Sequence, residues 1–250
     1  MLSKKMVAVC DILGFKEINY LYSPDKVYQQ YNKYIEEPIN LCFQEKAGVK
    51  TTSQLIKGGT SHLGIAWFSD TILLYTKEDT KDALYELITK VTWLVFLTTL
   101  ENKMPLRVGV SYGDVYFNEA DGIYIGVPLI EAYEIQSWQN WIGGVILPSA
   151  IKRICESDLI EINFYIESYK IPIKQEKQEL FKRTYNDYLY KPWAINWTRG
   201  KHDYNTWKNR YDEATKNIKD ESILEKWQNS HKYHNLICEQ CRAEIRKQKI

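Results

Sequence analysis

Two acidic residues stand at the ends of buried-strand patterns, and they constrain this chain more than any other feature. Residues 6–12 form a compact apolar run rich in Val and Ile, with Asp11 near its end and Gly14 just beyond. Leu63–Phe68 and residues 71–75 are apolar, β-prone runs separated by Ser69-Asp70, the pattern of a tight hairpin. A carboxylate at such a position is costly unless something positive meets it. If the strands are neighbours the carboxylates converge, and like charges that close need a cation. Hard oxygen ligands suit Mg²⁺ or Mn²⁺ held jointly with phosphates. The backbone after Asp11, through Gly14, can offer N–H groups to phosphate oxygens.

The rest of the chain reads as strands and helices in alternation. A helix is expected from near Asp25 to about Phe43, opened by Pro24, and residues 48–59 form a polar connection. Lys81–Leu100 reads as a long amphipathic helix with a Thr80 cap. Residues 106–110 and 115–117 read as two strands and Ile123–Ile125 as another, with a helix over 128–135. Gly143-Gly144 precedes a short strand at 145–147, and Pro148 opens the next helix. A weak strand is expected within 160–173 and a second within 189–197, followed by helices over 204–219 and 221–246. Helices mixed with adjacent hairpins predict an α+β fold, a mixed sheet with flanking helices, rather than a wholly parallel sheet.

Composition narrows the class. Lys plus Arg number 33 and Asp plus Glu 32, so a net charge of +1 exerts no global pull on nucleic acid or an anionic membrane. The basic end at Arg242, Arg246, Lys247 and Lys249 reads as a solvated helix terminus. No stretch is expected to reach the apolar length that spans a bilayer. Five cysteines without the spacing of a small disulfide scaffold point to reduced thiols and the cytoplasm. With 19 Tyr and 8 Trp, many of them in the last third, the C-terminal segment is expected to pack onto something. His231, His234, Cys238 and Cys241 share one helical face, but on a straight helix they span about 15 Å, too long for one tetrahedral zinc.

A third segment completes a pattern: Leu106-Arg107-Val108-Gly109-Val110-Ser111-Tyr112-Gly113-Asp114-Val115, followed by Asp121 to Gly126 and a helix containing Ala132. In this order, Asp11-Ile12-Leu13-Gly14-Phe15, Phe68-Ser69-Asp70 and Arg107-Val108-Gly109 resemble the class III nucleotidyl cyclases, over roughly 6–150. The resemblance implies metal ligation at Asp11, Ile12 and Asp70, with two Mn²⁺ or Mg²⁺ ions per site. It implies nucleotide contacts from Ile12, Leu13, Gly14, Phe15, Arg107 and Tyr112, with Asp11, Asp70 and Arg107 catalytic. It also implies a C2 homodimer with shared sites, in which Arg107, Tyr112 or Glu134 can approach from the second subunit. The cyclase domain is expected over 1–198, with 199–250 a helical extension packed on it.

The departures point to the base. Ser69 replaces the family's usual Gly. Ala66 and Ile123 stand where purine cyclases place base-reading side chains, and neither can hydrogen-bond a purine edge. Ile130 and Glu134 replace the Asn and Arg that support the transition state. Phe-Ser-Asp, Pro-Leu-Arg, Glu-Ala-Tyr-Glu and a late Ile-Asn-Trp resemble the pyrimidine nucleotide cyclases of bacterial Pycsar anti-phage systems. That resemblance implies UTP, or else CTP, as substrate, and a cyclic nucleotide that acts through a downstream effector. Two alternatives stand beside it: an inactive cyclase-like module that binds nucleotide or dimerises, and a purine cyclase with a rebuilt base pocket.

Overall fold

A computed structural model describes residues 2–39, 62–100, 104–186, 191–199 and 204–247. The elements in order are β1 (Leu2–Ile12), α1 (Phe15–Leu21), α2 (Pro24–Tyr31), β2 (Leu63–Phe68), β3 (Thr71–Thr76), α3 (Lys81–Leu100), β4 (Leu106–Asn118) and β5 (Ile123–Ile125). They continue with α4 (Val127–Trp138), β6 (Gly143–Ile146), α5 (Pro148–Glu156), β7 (Ile166–Glu167), α6 (Gln178–Tyr185), β8 (Trp193–Ile195), α7 (Tyr204–Thr215) and α8 (Glu221–Lys247).

The fold is α+β. Seven strands form a mixed sheet in the order β2-β3-β1-β4-β6-β8-β7, with β5 added to β4. Only β4 and β6 pair in parallel; the other pairs are antiparallel. Two cores flank the sheet. The even-numbered residues of β1 (Met6, Ala8, Cys10, Ile12) enter the larger one with the apolar face of α3. Val7 and Val9 enter a smaller one with Tyr75, Phe117 and Ala132 of α4. This alternation is the strand period of two, so Asp11 shares the α4 face with Val7 and Val9.

Several elements differ from the sequence reading. β1 begins at Leu2, four residues early, and pairs with β4 from Leu2↔Tyr116 to Ile12↔Leu106. That long partner lets 106–118 run as one strand through Gly113 and Asp114, where two were expected. The helix opened by Pro24 passes into a π-helical turn at Asn32–Glu36; its expected end near Phe43 and the connection 48–59 lie outside the described residues. Residues 160–173 hold a 3-10 turn (Ile160–Phe164) and the two-residue β7 instead of an extended strand. Of the strand expected within 189–197, residues 189 and 190 lie outside the described residues, and within 191–197 it is β8 alone; the helix from Tyr204 ends at Thr215.

Contrary to the expectation that no stretch is long enough, α3 could cross a membrane by length and composition alone. Its Leu84, Leu87, Ile88, Val91, Leu94 and Val95 are instead fully buried in the larger core. The buried Thr92 and Thr98 hydroxyls donate to Ile88 and Leu94 carbonyls, both at 2.8 Å, while the Thr99 hydroxyl is buried without a partner among the described residues.

The aromatic residues of the last third join the same core. Trp197, Trp207 and Tyr233 are fully buried, and Trp207 stacks on His234 with ring centroids 5.0 Å apart. α8 is anchored to the sheet where Ile142 N–H donates to Ser230 Oγ at 2.7 Å and Asn229 Nδ2 donates to Asn140 O at 2.8 Å.

Candidate active site

β1 and β3 run antiparallel with Asp11 opposite Thr71. One rung further, Ile12 N–H donates to Asp70 O at 3.1 Å. Asp70 therefore sits beside the end of β1, in the two-residue turn between β2 and β3. Ser69, the first turn residue, has φ +57°, a left-handed conformation that favours glycine and that primed hairpin turns require. The hairpin stands there at some local cost to its backbone.

On the other side of β1, Asp11 pairs with Arg107 of β4. Arg107 Nη2 donates to Asp11 Oδ2 at 2.7 Å, with the two side chains only 12% and 21% exposed. Arg107 Nη1 reaches the Gln139 carbonyl at 3.4 Å, at the end of α4. Gln139 is itself fixed, since Nε2 donates to Val108 O at 2.8 Å and Oε1 accepts from Trp141 Nε1 at 2.8 Å. Arg107 Nε is buried without a partner among the described residues. α4 lies tight on this strand, because a Cβ on Gly109 would fall 2.0 Å from the Ala132 carbonyl oxygen.

Beyond Asp11 the chain turns at Gly14, whose φ of +82° carries it from β1 into α1. Ile12 N–H is committed to Asp70 and Leu13 N–H donates to Pro105 O at 3.0 Å. The Ile12 side chain is buried in the larger core. Of the four residues expected to face phosphate, Ile12 and Leu13 therefore cannot offer their amides, which leaves Gly14 and Phe15. For a metal, Ile12 has only its backbone carbonyl. Tyr31 packs edge-on to Phe15 at 5.9 Å. Burial, with Glu36 and then Asp70 contributing, pushes its phenol up to about 12. Tyr31 thus packs on the Asp11–Phe15 segment and lies within electrostatic reach of Asp70, a placement its position in a generic amphipathic helix did not signal.

Within one chain Tyr112 is not brought to the carboxylates, and the expected nucleotide contact would have to come across a subunit interface. It pairs with Met6 on β1, five residues from the Arg107 position and about 16 Å along the strand. Its hydroxyl donates to Asp79 Oδ2 at 2.7 Å, and Arg153 lies over its ring while pairing with Asp79 at 2.9 Å. Burial and the Asp79 bond raise its phenol to about 12. Ile130 and Glu134 are exposed on α4, and Ile123 is exposed on β5.

Among the described residues no group of three or more His, Cys, Asp or Glu is gathered for a metal ion. The histidines of α8 are engaged in packing. Trp207 Nε1 can only donate, so His231 Nδ1, 3.0 Å away, accepts. His231 Nε2 then carries the proton and lies 3.1 Å from Asn235 Nδ2, so the Asn235 amide has to be turned over, bringing its unpartnered oxygen to Nε2, for that proton to be accepted. Two carboxylates on adjacent strand ends nevertheless suit a hard cation shared with phosphate oxygens.

Beside this centre lies a cavity of about 550 Å³, bounded by Leu13 and Gly14, Arg107, Lys174, the end of α7 and the first turns of α8. Sequence reasoning missed Lys174 and Lys226, because each stands in a polar stretch with nothing to distinguish it from a solvated lysine.

No family model and no curated protein matches this sequence. Among solved structures, the monomeric guanylyl cyclase domain of the RhoGC fusion protein from the aquatic fungus Blastocladiella emersonii is similar over 62% of this chain and 88% of that chain. The identity is 15% and the TM-score 0.47. A class III adenylyl cyclase-like ATP-binding protein from Pseudomonas aeruginosa is similar over 93% of this chain and 44% of that one, at 13% identity and TM-score 0.43. An adenylate/guanylate cyclase/hydrolase from Silicibacter pomeroyi is similar over 78% and 95%, at 9% identity and TM-score 0.43.

Proposed function

We propose that the protein is a nucleotidyl cyclase acting on a pyrimidine nucleoside triphosphate, UTP ahead of CTP. The observation that carries this reading is the placement of Asp11 and Asp70 on adjacent strand ends, joined through the Ile12–Asp70 backbone bond, with Arg107 against Asp11. Asp11, Asp70 and the Ile12 carbonyl would hold Mg²⁺ or Mn²⁺. When bound, the ions supply charge neutralisation on the triphosphate and lower the pKa of the ribose 3′-hydroxyl.

Arg107 holds the Asp11 carboxylate in one orientation, so the site is set before substrate arrives. Gly14 and Phe15 offer amides to phosphate oxygens. In the reaction the 3′-oxygen bonds to the α-phosphorus, the bond to the bridging oxygen of pyrophosphate breaks, and the hydroxyl proton leaves to solvent. The in-line geometry is that of phosphoryl transfer generally.

The pyrimidine reading is supported by side chains that cannot read a purine. Ala66 lies on β2 and Ile123 on β5, and neither offers a donor or acceptor. A homodimer is supported by exposed apolar side chains on the face that carries Asp11. Phe68 is 86% exposed on β2, and Val127, Ile130 and Tyr133 are exposed along α4. Cytoplasmic signalling in anti-phage defence, through an effector that senses the product, follows from the Pycsar resemblance alone. A second reading, a nucleotide-binding module without turnover, is favoured by one observation: Ile130 and Glu134 leave α4 without the Asn and Arg of the resembled family.

Purified protein incubated with ATP, GTP, CTP and UTP and with Mn²⁺ or Mg²⁺, then analysed by mass spectrometry, decides among these. Cyclic UMP or cyclic CMP alone establishes the proposal and chooses the base. A cyclic purine keeps the two-carboxylate site and overturns the base assignment. Binding without product moves the weight to the module. Asp70→Ala should abolish product while the fold, followed by circular dichroism, persists.

A further inference from the structure

Two lysines from outside the region that carries the cyclase resemblance meet at the cavity beside Asp11. Lys174 is held there by its own backbone, since its N–H donates to Trp138 O at 2.9 Å and Gln139 bridges to Ile173 just before it. Lys226 projects from α8 one turn before Asn229 and Ser230, which fasten that helix to 140–142. Both amines line the same cavity as Arg107. The Lys174 amine has no hydrogen-bond or ion-pair partner among the described residues, and Lys226 Nζ donates only to the Ser222 carbonyl, at 3.1 Å.

The acidic residues around the cavity are mostly engaged elsewhere. Asp220 caps α8, accepting from Ser222 N–H at 2.8 Å and Ile223 N–H at 3.3 Å. Glu213 faces Arg210 at 3.7 Å, and Asp11 is held by Arg107. Glu17 also lines the cavity, and Glu176 and Glu225 lie within electrostatic reach of Lys174 and Lys226 respectively, but none of the three ion-pairs with either half-buried amine among the described residues. Burial first, then Arg107, pushes both lysine amines below the ordinary lysine range, and Lys226 adds to the effect on Lys174. Like charges gathered in a half-buried cavity are unfavourable until an anion joins them. With Arg107 Nε also buried and unpartnered among the described residues, the donors on this side of the cavity are only partly met by acceptors.

We propose that Lys174 and Lys226, with Arg107, form the subsite for the β- and γ-phosphates of the nucleoside triphosphate, so that α8 completes the active site. This rests on the cyclase reading for its occupant. The lysines meet phosphate as point charges, and the cavity opens between the Leu13-Gly14 turn and α8. The C-terminal helices thus do more than cover the sheet: they supply the charge that selects a triphosphate over a monophosphate.

The test uses the full chain and three probes: inorganic tripolyphosphate, UTP and UMP, each titrated calorimetrically. Tripolyphosphate should bind and compete with UTP. The double variant Lys174→Gln/Lys226→Gln should weaken both by about tenfold or more, as expected for lost charge-assisted contacts, and leave UMP unchanged. The double variant Lys174→Arg/Lys226→Arg should retain most of the affinity, which a purely structural role for the amines would not require. Unchanged UTP and tripolyphosphate affinity in a folded Gln variant overturns the subsite, as does simultaneous, non-competing binding of the two. If no nucleotide is cyclised yet tripolyphosphate binding depends on both lysines, the subsite stands and the cyclase reading falls. If product forms with unaltered KM in the Gln variant, the reverse holds.

Discussion

Arg107 and Asp11 are direct cross-strand partners, paired Cα to Cα between β4 and β1 and joined side chain to side chain at 2.7 Å. The pair links the acidic strand end to the strand on which α4 packs. Because both side chains are largely withdrawn from water, it is not an exposed bridge of negligible worth. Removing either partner strands the other.

The first prediction concerns that pair. Asp11→Ala and Arg107→Met should each lower the unfolding free energy by about 1–3 kcal/mol. The double variant should cost less than the sum, by about 1 kcal/mol. Urea unfolding of the four proteins measures this, and strictly additive values would mean that the contact contributes nothing.

The hairpin offers a gain. Ser69 holds φ +57°, so Ser69→Gly should stabilise the protein by about 0.5–1 kcal/mol, relief of left-handed strain outweighing the extra freedom of the unfolded chain. A lower melting temperature for this variant would contradict the turn geometry at the Asp70 site.

Two glycines should respond to alanine for different reasons. Gly109→Ala drives a Cβ to 2.0 Å from the Ala132 carbonyl oxygen; α4 must shift, and the loss should be about 2 kcal/mol or more. Gly14→Ala meets nothing within 4 Å but carries φ +82°, which limits the loss to about 1–2 kcal/mol. Chemical denaturation of both variants checks the order, and a Gly14 variant less stable than the Gly109 variant would reverse it.

His231 predicts a pH dependence. Burial, and then Lys208, lowers its pKa from the ordinary imidazole value, and its Nδ1 must stay unprotonated to accept from Trp207. The folded state therefore binds this proton less readily than the unfolded state. The contribution is fully present above about pH 6.5 and is lost as pH falls through the lowered folded value. His62, raised by its hydrogen bond to Glu78, has the opposite sign, and comparison with a His231→Gln variant cancels it. The melting temperature of the wild type should fall more steeply between pH 7 and pH 5 than that of His231→Gln; parallel curves would remove His231 from the account.

Tyr112 supplies the last. Its hydroxyl is bound to Asp79 on the far part of β4 from Asp11. Tyr112→Phe should cost about 0.5–1.5 kcal/mol of stability with the Kd for UTP unaltered. A weaker Kd with unchanged stability would place Tyr112 at the site of a second subunit.

The sequence by itself determined the parts whose signal is local. A Val- and Ile-rich run can bury both faces, so β1 was legible, as were the β2–β3 hairpin with Asp70 at its tip and the core helix after Thr80. Their periodicity and turn chemistry need no distant partner. Arg107 was marked only by resemblance. Its grip on Asp11 depends on the register of β1 against β4, which is set by eleven paired rungs and not by either strand alone. The length of β4 across Gly113 was decided in the same way, by a neighbour long enough to hold it. How far Tyr112 stands from Asp11 within one chain was not legible either, because a strand carries a residue about 3.3 Å further per position and motif proximity says nothing of that distance. Lys174 and Lys226 lie 52 residues apart in the chain, and nothing in either neighbourhood marks them. Only the packing of α8 against the sheet brings their charges together, because electrostatic convergence is a property of space and not of sequence order.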